Sequence, residues 1–302
     1  MDGDALYPRV MTALITPLGA RGQVDHGAAA DLAERLALRG SGGFVLAGTT
    51  GESPTLEAEE KLALCEAVRR RLDGRAVVWL NVGSYSTAES VRLARAAVGA
   101  GAQGLMAVVP YYNRPPQAGL AAHFGAVAEA TPLPLMIYNI PGRTSCNLLP
   151  RTLADVAAEH PGITAVKESS RDLEQVGEIL RLLPEPFQVY SGDDQLTLPV
   201  VAMGGRGVVS VASHLVPERV AELVAATAGG DLGRARRVQA ELAPLVRALF
   251  VTTNPIPVKA ALRLAGFPAG GFRLPLCEPS AAELDQIRAA IEPLGLVGSM
   301  RG

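Results

Sequence analysis

A (β/α)8 TIM barrel followed by a C-terminal helical extension is the fold that the sequence predicts, and three observations support it. Eight short runs rich in Val, Ile and Leu recur at intervals of roughly 20 to 35 residues, the rhythm of alternating strands and helices. The segments between the runs place apolar residues at steps of three and four, as amphipathic helices do. The runs are continuous rather than alternating, as expected of parallel strands covered on both faces.

The predicted strands are taken directly from these apolar runs. In chain order they are RVMTALI (9–15), GGFVLAG (42–48), AVVWLNV (76–82), GLMAVV (104–109), LPLMIYN (133–139), ITAVKES (163–169), FQVYSG (187–192) and RGVVSV (206–211). Helices are predicted between them, for example over residues 28–38, 57–72 and 87–100. We place the helix start signals at Thr55 and Thr87, each of which precedes an acidic first turn.

The end of the chain has a different pattern. After about residue 229, helical periodicity continues over residues 229–251, 254–266 and 280–295 without any further strand between them. We therefore predict a barrel of residues 1–229 followed by a helical region of residues 230–302.

Composition and charge indicate small-molecule chemistry in the cytoplasm. The 302 residues are 48% hydrophobic and 19% charged, and the net charge of −2 offers no Lys/Arg excess for nucleic acid or an anionic membrane. Cys65, Cys146 and Cys277 lie far apart without CxxC spacing, so neither a disulfide framework nor a zinc site is indicated. We recognise no export signal and no apolar run of about 18 residues, the length of a transmembrane helix.

Polar residues collect where the predicted strands end. In a barrel of this kind, the active groups lie at the carboxyl ends of the strands and in the loops that follow them. Hydroxyls, phenols and one amine are expected to converge there, from Thr49, Thr50, Tyr111, Tyr112, Tyr138 and Lys167. Gly192 and Asp193 follow the seventh predicted strand at the same end of the barrel.

Lys167 is the candidate with the clearest chemistry. A lone lysine at a strand end is often solvated or structural, but this one lies among tyrosines and threonines at neighbouring strand ends. A free lysine amine has a pKa near 10.4, whereas a desolvated amine tuned to roughly 7 to 8 is a usable nucleophile. Lys167 is therefore predicted to form an imine with a carbonyl substrate.

Other candidate motifs are weaker. GTTGES (48–53) lacks both the GK[ST] of a P-loop and the three-glycine dinucleotide pattern, and by itself it reads as a helix-entry turn. The four histidines are scattered without HxxH or HExxH spacing, so neither a metal site nor a histidine-based triad is predicted.

Several motifs together resemble one family over essentially the whole chain. The sequence is similar to the dihydrodipicolinate synthase and N-acetylneuraminate lyase family of pyruvate-dependent class I aldolases, whose members share these motifs in the same order. The motifs are GTTGES (48–53), PYYNRP (110–115), YNIPGRT (138–144), VKESS (166–170), SGDD (191–194), GVVSV (207–211) and NPIPVKAAL (254–262).

The resemblance implies catalytic roles for four residues. Lys167 would form the Schiff base with pyruvate, and Tyr138 would donate and accept the proton. Thr49 and Tyr112 would complete a proton relay, with Tyr112 reaching into a neighbouring subunit, so that a dimer, usually within a homotetramer, is implied. No metal or organic cofactor is implied.

Substrate-binding roles follow from the same resemblance. Thr50 and the backbone of Val209 would hold the pyruvate carboxylate, with Gly192 also at the substrate. Arg143 would bind the carboxylate of the second substrate, since a guanidinium offers bidentate geometry that a lysine does not.

The motifs are most similar to those of members that condense pyruvate with L-aspartate 4-semialdehyde in the diaminopimelate route to lysine. Sialic acid lyases tend to have a serine where Thr49 stands, which favours the same assignment. Two alternatives stay open: a sibling aldolase acting on a 4-hydroxy-2-oxo acid or a sugar-derived 2-oxo acid, and a non-catalytic small-molecule-binding barrel.

A possible lysine effector site departs from the family pattern. Glu89 and Tyr111 match the site at which lysine inhibits some members. Ala58, Lys61 and Tyr85 replace the residues common in strongly regulated ones, and Lys61 places a cation where a cationic ligand would bind. We predict weak or absent feedback inhibition by lysine.

Overall fold

A computed structural model describes residues 3–300 as eight strands, each followed by helical structure, and a helical C-terminal region. The strands are β1 (Val10–Ala13), β2 (Gly43–Leu46), β3 (Val77–Asn81), β4 (Gly104–Val108), β5 (Leu135–Asn139), β6 (Ile163–Glu168), β7 (Gln188–Ser191) and β8 (Gly207–Ser210). The α-helices are α1 (Gly3–Leu6), α2 (His26–Ala37), α3 (Ala58–Leu72), α4 (Thr87–Gly99), α5 (Gln117–Glu129), α6 (Pro141–Thr144), α7 (Pro150–Glu159), α8 (Leu173–Leu182), α9 (Thr197–Ala202), α10 (Pro217–Ala228), α11 (Leu232–Ala248), α12 (Ile256–Ala265) and α13 (Ala281–Ile291).

All eight predicted strands form, and they close into one parallel barrel. Each strand pairs with the next in chain order, and β8 pairs with β1. The predicted (β/α)8 barrel with a C-terminal helical extension is therefore confirmed. In residues 3–300, none of the helices combines the length and the apolar character needed to cross a membrane.

The two predicted start signals, Thr55 and Thr87, lie two residues before and one residue after the N-caps that the structure shows. The N-cap of α3 is Glu57, not Thr55, because Glu57 and Glu60 form a reciprocal capping box in which the Glu57 backbone N–H donates to Glu60 Oε2 at 3.0 Å. The N-cap of α4 is Ser86 rather than Thr87, since the Ser86 hydroxyl accepts from the backbone N–H of Glu89. The local side-chain hydrogen bonds decide these positions.

The barrel has separate inner and outer cores. Within residues 3–300, eleven buried side chains form the inner cluster, among them Trp79, Met106, Tyr138, Tyr190 and Val209. The amino-terminal end of the barrel is closed by the segment before β1, where Trp79 Nε1 donates to the Leu6 carbonyl at 3.3 Å and the Tyr190 hydroxyl to the Pro8 carbonyl at 3.0 Å. The polar residues that were predicted to form the site lie at the opposite, carboxyl-terminal end of the barrel.

The helical region packs onto the outside of the barrel. Val238 and Leu242 of α11, Val258 and Leu262 of α12 and Ile287 of α13 belong to the same apolar cluster as the outward-facing strand residues. This packing holds the start of α12 against the carboxyl-terminal end of the barrel. The division of the chain at residue 229 stays a prediction.

Candidate active site

Lys167 and Tyr138 lie side by side at the carboxyl ends of two neighbouring strands. Lys167 is the fifth residue of β6 and pairs in register with Tyr138, the fourth residue of β5. The Lys167 Nζ lies 4.2 Å from the centroid of the Tyr138 ring. The parallel pairing of β5 and β6 thus places an amine next to a phenol inside the barrel mouth.

The environment of Lys167 favours its neutral form. Lys167 is 5% exposed, and burial lowers the pKa of its amine to about 7. The nearby positive charge of Arg143 also lowers this pKa, while the carboxylate of Asp194 opposes the shift. A substantial part of the Lys167 population is therefore unprotonated, and nucleophilic, near neutral pH.

Gly192 lets the chain after β7 pass close to the lysine. A Cβ atom at Gly192 would lie 3.0 Å from two carbons of the Lys167 side chain and 1.9 Å from Ser169 Oγ. Any side chain at this position would collide with both residues. The predicted location of Gly192 at the site therefore has a steric reason.

Tyr138 is buried, and its surroundings keep the phenol protonated. Burial raises the pKa of Tyr138, while the hydroxyl of Thr49 and the charge of Arg143 partly offset the increase. Ser169 also lies near the phenol, although its Oγ has no partner in hydrogen-bonding geometry among the described residues. A protonated phenol beside a neutral amine is a competent proton donor.

Thr49 and Thr50 lie on one loop but face different surroundings. Thr49 lines the cavity together with Tyr138. Thr50 is 3% exposed, and its hydroxyl accepts a hydrogen bond of 2.9 Å from Asn254 Nδ2. Asn254 comes from the segment just before α12, so a residue 204 positions away supports this loop.

The cavity above Tyr138 has a volume of about 210 Å³ and an exposed arginine at its rim. Arg143 lies on α6, directly after β5, and its Nη2 donates to the Asn254 carbonyl at 3.1 Å. The remaining lining side chains are mainly small or apolar, and they include Pro54, Val108 and Ile140. A small anion could be held here between a cation and an apolar wall.

Val209 and Asp194 complete the base of the site. Val209 is 1% exposed and belongs to the inner cluster with Tyr138. The Asp194 carboxylate accepts from the backbone N–H groups of Val211 at 2.9 Å and Ala212 at 3.2 Å, which fixes the end of β8. Burial raises the pKa of Asp194, and these hydrogen bonds oppose the shift.

Tyr112 is the one predicted catalytic residue that lies apart from the others. It is 91% exposed, has a positive φ of 71°, and does not line the cavity. The side chain extends from the loop after β4 into solvent. Among the residues that the structure describes, no hydrogen bond or ring contact joins Tyr112 to Tyr138.

Similarity to known proteins identifies the family of this chain. The dihydrodipicolinate synthetase family model matches residues 7–294. A 4-hydroxy-tetrahydrodipicolinate synthase of Heliobacterium modesticaldum is 49% identical over 97% of this chain and 97% of its own length. The chain belongs to the dihydrodipicolinate synthetase family.

Solved structures of the dihydrodipicolinate synthetase family share the fold. The enzyme from Cyanidioschyzon merolae, determined with lysine bound, has a TM-score of 0.94 at 45% identity, with 97% of this chain and 99% of that one covered. A relative described as a monomeric dihydrodipicolinate synthase variant has a TM-score of 0.93 at 38% identity and covers 97% and 98% of the two chains. The family fold thus includes a relative that is described as monomeric.

A second cavity, of about 370 Å³, adjoins the first and contains the predicted effector residues. Glu89, Lys61, Tyr85 and Tyr111 line it, and Tyr111 also lines the first cavity. Burial lowers the pKa of Lys61, while the carboxylates of Glu89 and Glu57 act in the opposite direction. Lys61 thus already interacts with the carboxylate that a cationic ligand would use.

Sequence reasoning missed three residues that support the site. Asp194, not the neighbouring Asp193, is the buried aspartate; Asp193 instead pairs with Arg171 at 2.6 Å. Asn254 and Lys259 belong to the NPIPVKAAL motif, but no role was predicted for them. A lysine within the uniformly apolar start of α12 was the available signal, because such a lysine needs a buried partner.

Proposed function

We propose that this member of the dihydrodipicolinate synthetase family condenses pyruvate with L-aspartate 4-semialdehyde through a Schiff base at Lys167, the 4-hydroxy-tetrahydrodipicolinate synthase reaction. The observation that carries the proposal is the buried Lys167 amine, with its pKa lowered to about 7, at 4.2 Å from the Tyr138 ring. The activity named for relatives of about 49% identity supports the choice of reaction.

The first half of the reaction activates pyruvate. The neutral Lys167 amine adds to the carbonyl carbon of pyruvate, and loss of one water gives the protonated imine. The imine withdraws electrons, so a proton can leave the pyruvate methyl group to form an enamine. Tyr138 accepts this proton while its own phenolic proton passes to the Thr49 hydroxyl, from which the relay continues to Tyr112.

The second half joins the two substrates. The enamine carbon attacks the aldehyde carbon of aspartate semialdehyde, while Tyr138 protonates the developing alkoxide. The amine of the semialdehyde then displaces Lys167 from the imine and closes the ring. The free lysine is restored, and the net reaction releases one water.

Binding of two carboxylates sets the specificity. The Thr50 hydroxyl and the Val209 backbone hold the pyruvate carboxylate, with Gly192 leaving room beside Lys167. Arg143 binds the carboxylate of the semialdehyde at the cavity rim, where a guanidinium can make two parallel hydrogen bonds. The small, partly apolar cavity fits a four-carbon aldehyde better than a sugar chain.

Tyr112 acts in a dimer. Its exposure of 91% and its place on the loop after β4 fit a side chain that completes the relay of a neighbouring subunit. We assign a homotetramer built as a dimer of dimers, which acts in the cytoplasm on the diaminopimelate route to lysine.

Assaying two kinds of substrate tests the reaction. We expect pyruvate and aspartate semialdehyde to be consumed together, with no cleavage of sugar-derived 2-oxo acids. Absence of this condensation, together with retro-aldol cleavage of a 4-hydroxy-2-oxo acid, would overturn the assignment in favour of a sibling aldolase.

A further inference from the structure

The loop that carries Thr49 and Thr50 is held by the C-terminal helical region. We call residues 48–56 the threonine loop; it follows β2 and contains a short 3-10 helix at Ser53–Thr55. Three residues from beyond residue 250 contact it: Asn254 at Thr50, Lys259 at Glu52, and Arg273 at Glu52 and at the Thr55 carbonyl. In the part of the chain that the structure describes, neither the Asn254 side chain nor the Lys259 ammonium hydrogen-bonds to Lys167 or Tyr138.

Lys259 and Glu52 form a fully buried ion pair. Their side chains are 0% and 1% exposed, and the distance from Nζ to Oε1 is 2.6 Å. The Lys259 Nζ also donates to the carbonyls of Thr16 at 3.2 Å and Gly271 at 2.5 Å. The pair therefore links α12 to the threonine loop and to the segment after β1.

Stability alone does not explain this pair. Burying two charges usually gains little over apolar residues of similar volume, because desolvation offsets the attraction. Glu52 has a left-handed backbone with φ of 58°, a conformation that non-glycine residues adopt rarely. An ion pair that holds a strained residue in place instead defines where the threonine loop lies.

Asn254 contacts the same loop at Thr50. The amide is buried, its Nδ2 donates to Thr50 Oγ1 at 2.9 Å, and its Oδ1 has no partner among the described residues. A threonine hydroxyl has one hydrogen to donate and two lone pairs that accept. When Asn254 occupies a lone pair, the hydroxyl hydrogen stays available for another acceptor.

We propose that Asn254 and the Glu52–Lys259 pair are positioning residues that aim the Thr50 hydroxyl hydrogen at the carboxylate of pyruvate. This inference rests on the proposed function, because it presumes that pyruvate binds beside Thr50. It also gives the C-terminal helical region a direct part in building the active site.

A double-mutant cycle tests whether Asn254 acts through Thr50. The measurement is the pyruvate concentration that gives half-maximal trapping of the Lys167 adduct by borohydride. We expect roughly a 3- to 10-fold increase for N254A and for T50V, the range of one hydrogen bond. The double variant should be no worse than T50V, and the KM for the semialdehyde should stay within about twofold, because the Asn254 carbonyl still accepts from Arg143.

The ion pair is tested by E52Q/K259M, which removes both charges and leaves neither buried alone. We expect a folded protein whose half-maximal pyruvate concentration rises by a similar factor. The control is E178Q, which removes the exposed ion pair of Glu178 with Arg181 on α8, and neither of these residues hydrogen-bonds to the threonine loop. This control should match the wild type.

Three outcomes decide between the hypotheses. Unchanged trapping in N254A, or effects of N254A and T50V that multiply, would overturn the role of Asn254. Unchanged trapping in a folded E52Q/K259M would overturn the role of the pair. If wild-type protein formed no adduct at Lys167 at all, the proposed function would fail, and that result is distinct from both.

Discussion

Lys167 is a buried lysine, and the loss of water around its amine lowers the pKa of that amine. In the proposed reaction the neutral form of Lys167 attacks pyruvate, so activity should depend on the fraction of Lys167 that is unprotonated. With a pKa of about 7, kcat/KM for pyruvate is expected to fall about tenfold per pH unit below pH 7 and to level off above it. A pH–rate profile measures this decrease in kcat/KM, which forms the acidic limb of the profile.

Substitution of Arg143 tests whether the pKa of Lys167 causes this acidic limb. Its charge lowers the pKa of Lys167, so R143Q should move the limb to higher pH. A limb near pH 10 in the wild type would contradict the desolvated amine.

Tyr138 and Tyr190 offer a matched pair of buried tyrosines inside the barrel. Y138F removes the proposed proton donor and should lower kcat by about 10²- to 10⁴-fold. Tyr190 lies on β7 with its hydroxyl bonded to the Pro8 carbonyl at the closed end, so Y190F should keep kcat within about threefold while losing some thermal stability. Equal kcat values for the two variants, measured at saturating substrate, would exclude the role of Tyr138.

Residue-level prediction from the sequence succeeded where a residue is unusual for its local pattern. A lysine that ends an apolar strand is such a case, and Lys167 and Tyr138 are found together. The same reasoning singled out Asp193 and missed Asp194, because adjacent aspartates on one loop look alike until the turn directs one inward.

At the level of elements, strands were easier to predict than the contacts between distant segments. Continuous apolar runs identified all eight strands, since each must be covered on both faces. The Thr50–Asn254 and Glu52–Lys259 contacts span 204 and 207 residues, and helical periodicity carries no information about which loop a helix will meet.

The cavity beside α3 and α4 makes a prediction about regulation. Lys61 lines this cavity with Glu89, so L-lysine should inhibit weakly or not at all. K61Q removes the competing cation and should increase sensitivity to lysine, whereas K61R keeps the charge and should behave like the wild type. Initial rates over a range of lysine concentrations decide this, and a sub-millimolar inhibition constant for the wild type would refute it.

For the whole molecule, the exposure of Tyr112 predicts that the active site is shared between subunits. Y112F and K167A should each be nearly inactive alone. Mixed under conditions that allow subunit exchange, they should regain up to about a quarter of the wild-type rate, since half of the dimers then carry one intact site of two. Failure of complementation, with mixed dimers demonstrated by mass spectrometry, would show that Tyr112 does not act across the interface.

The overall architecture was predictable because apolar strand runs and amphipathic helices alternate along most of the chain. The assembly could not be predicted from these residue patterns, because a single chain does not reveal its partner surface. The solved relatives include a monomeric variant of nearly the same fold. Fold and assembly are therefore separate questions for this protein.

The whole proposed reaction depends on a Schiff base between Lys167 and pyruvate. Borohydride reduction in the presence of pyruvate, followed by peptide mass mapping, tests it most directly. We expect one stable adduct on the peptide containing Lys167 and none in K167A, with Lys259, buried in its ion pair, unmodified. An unmodified Lys167, or an adduct on another lysine, would contradict it.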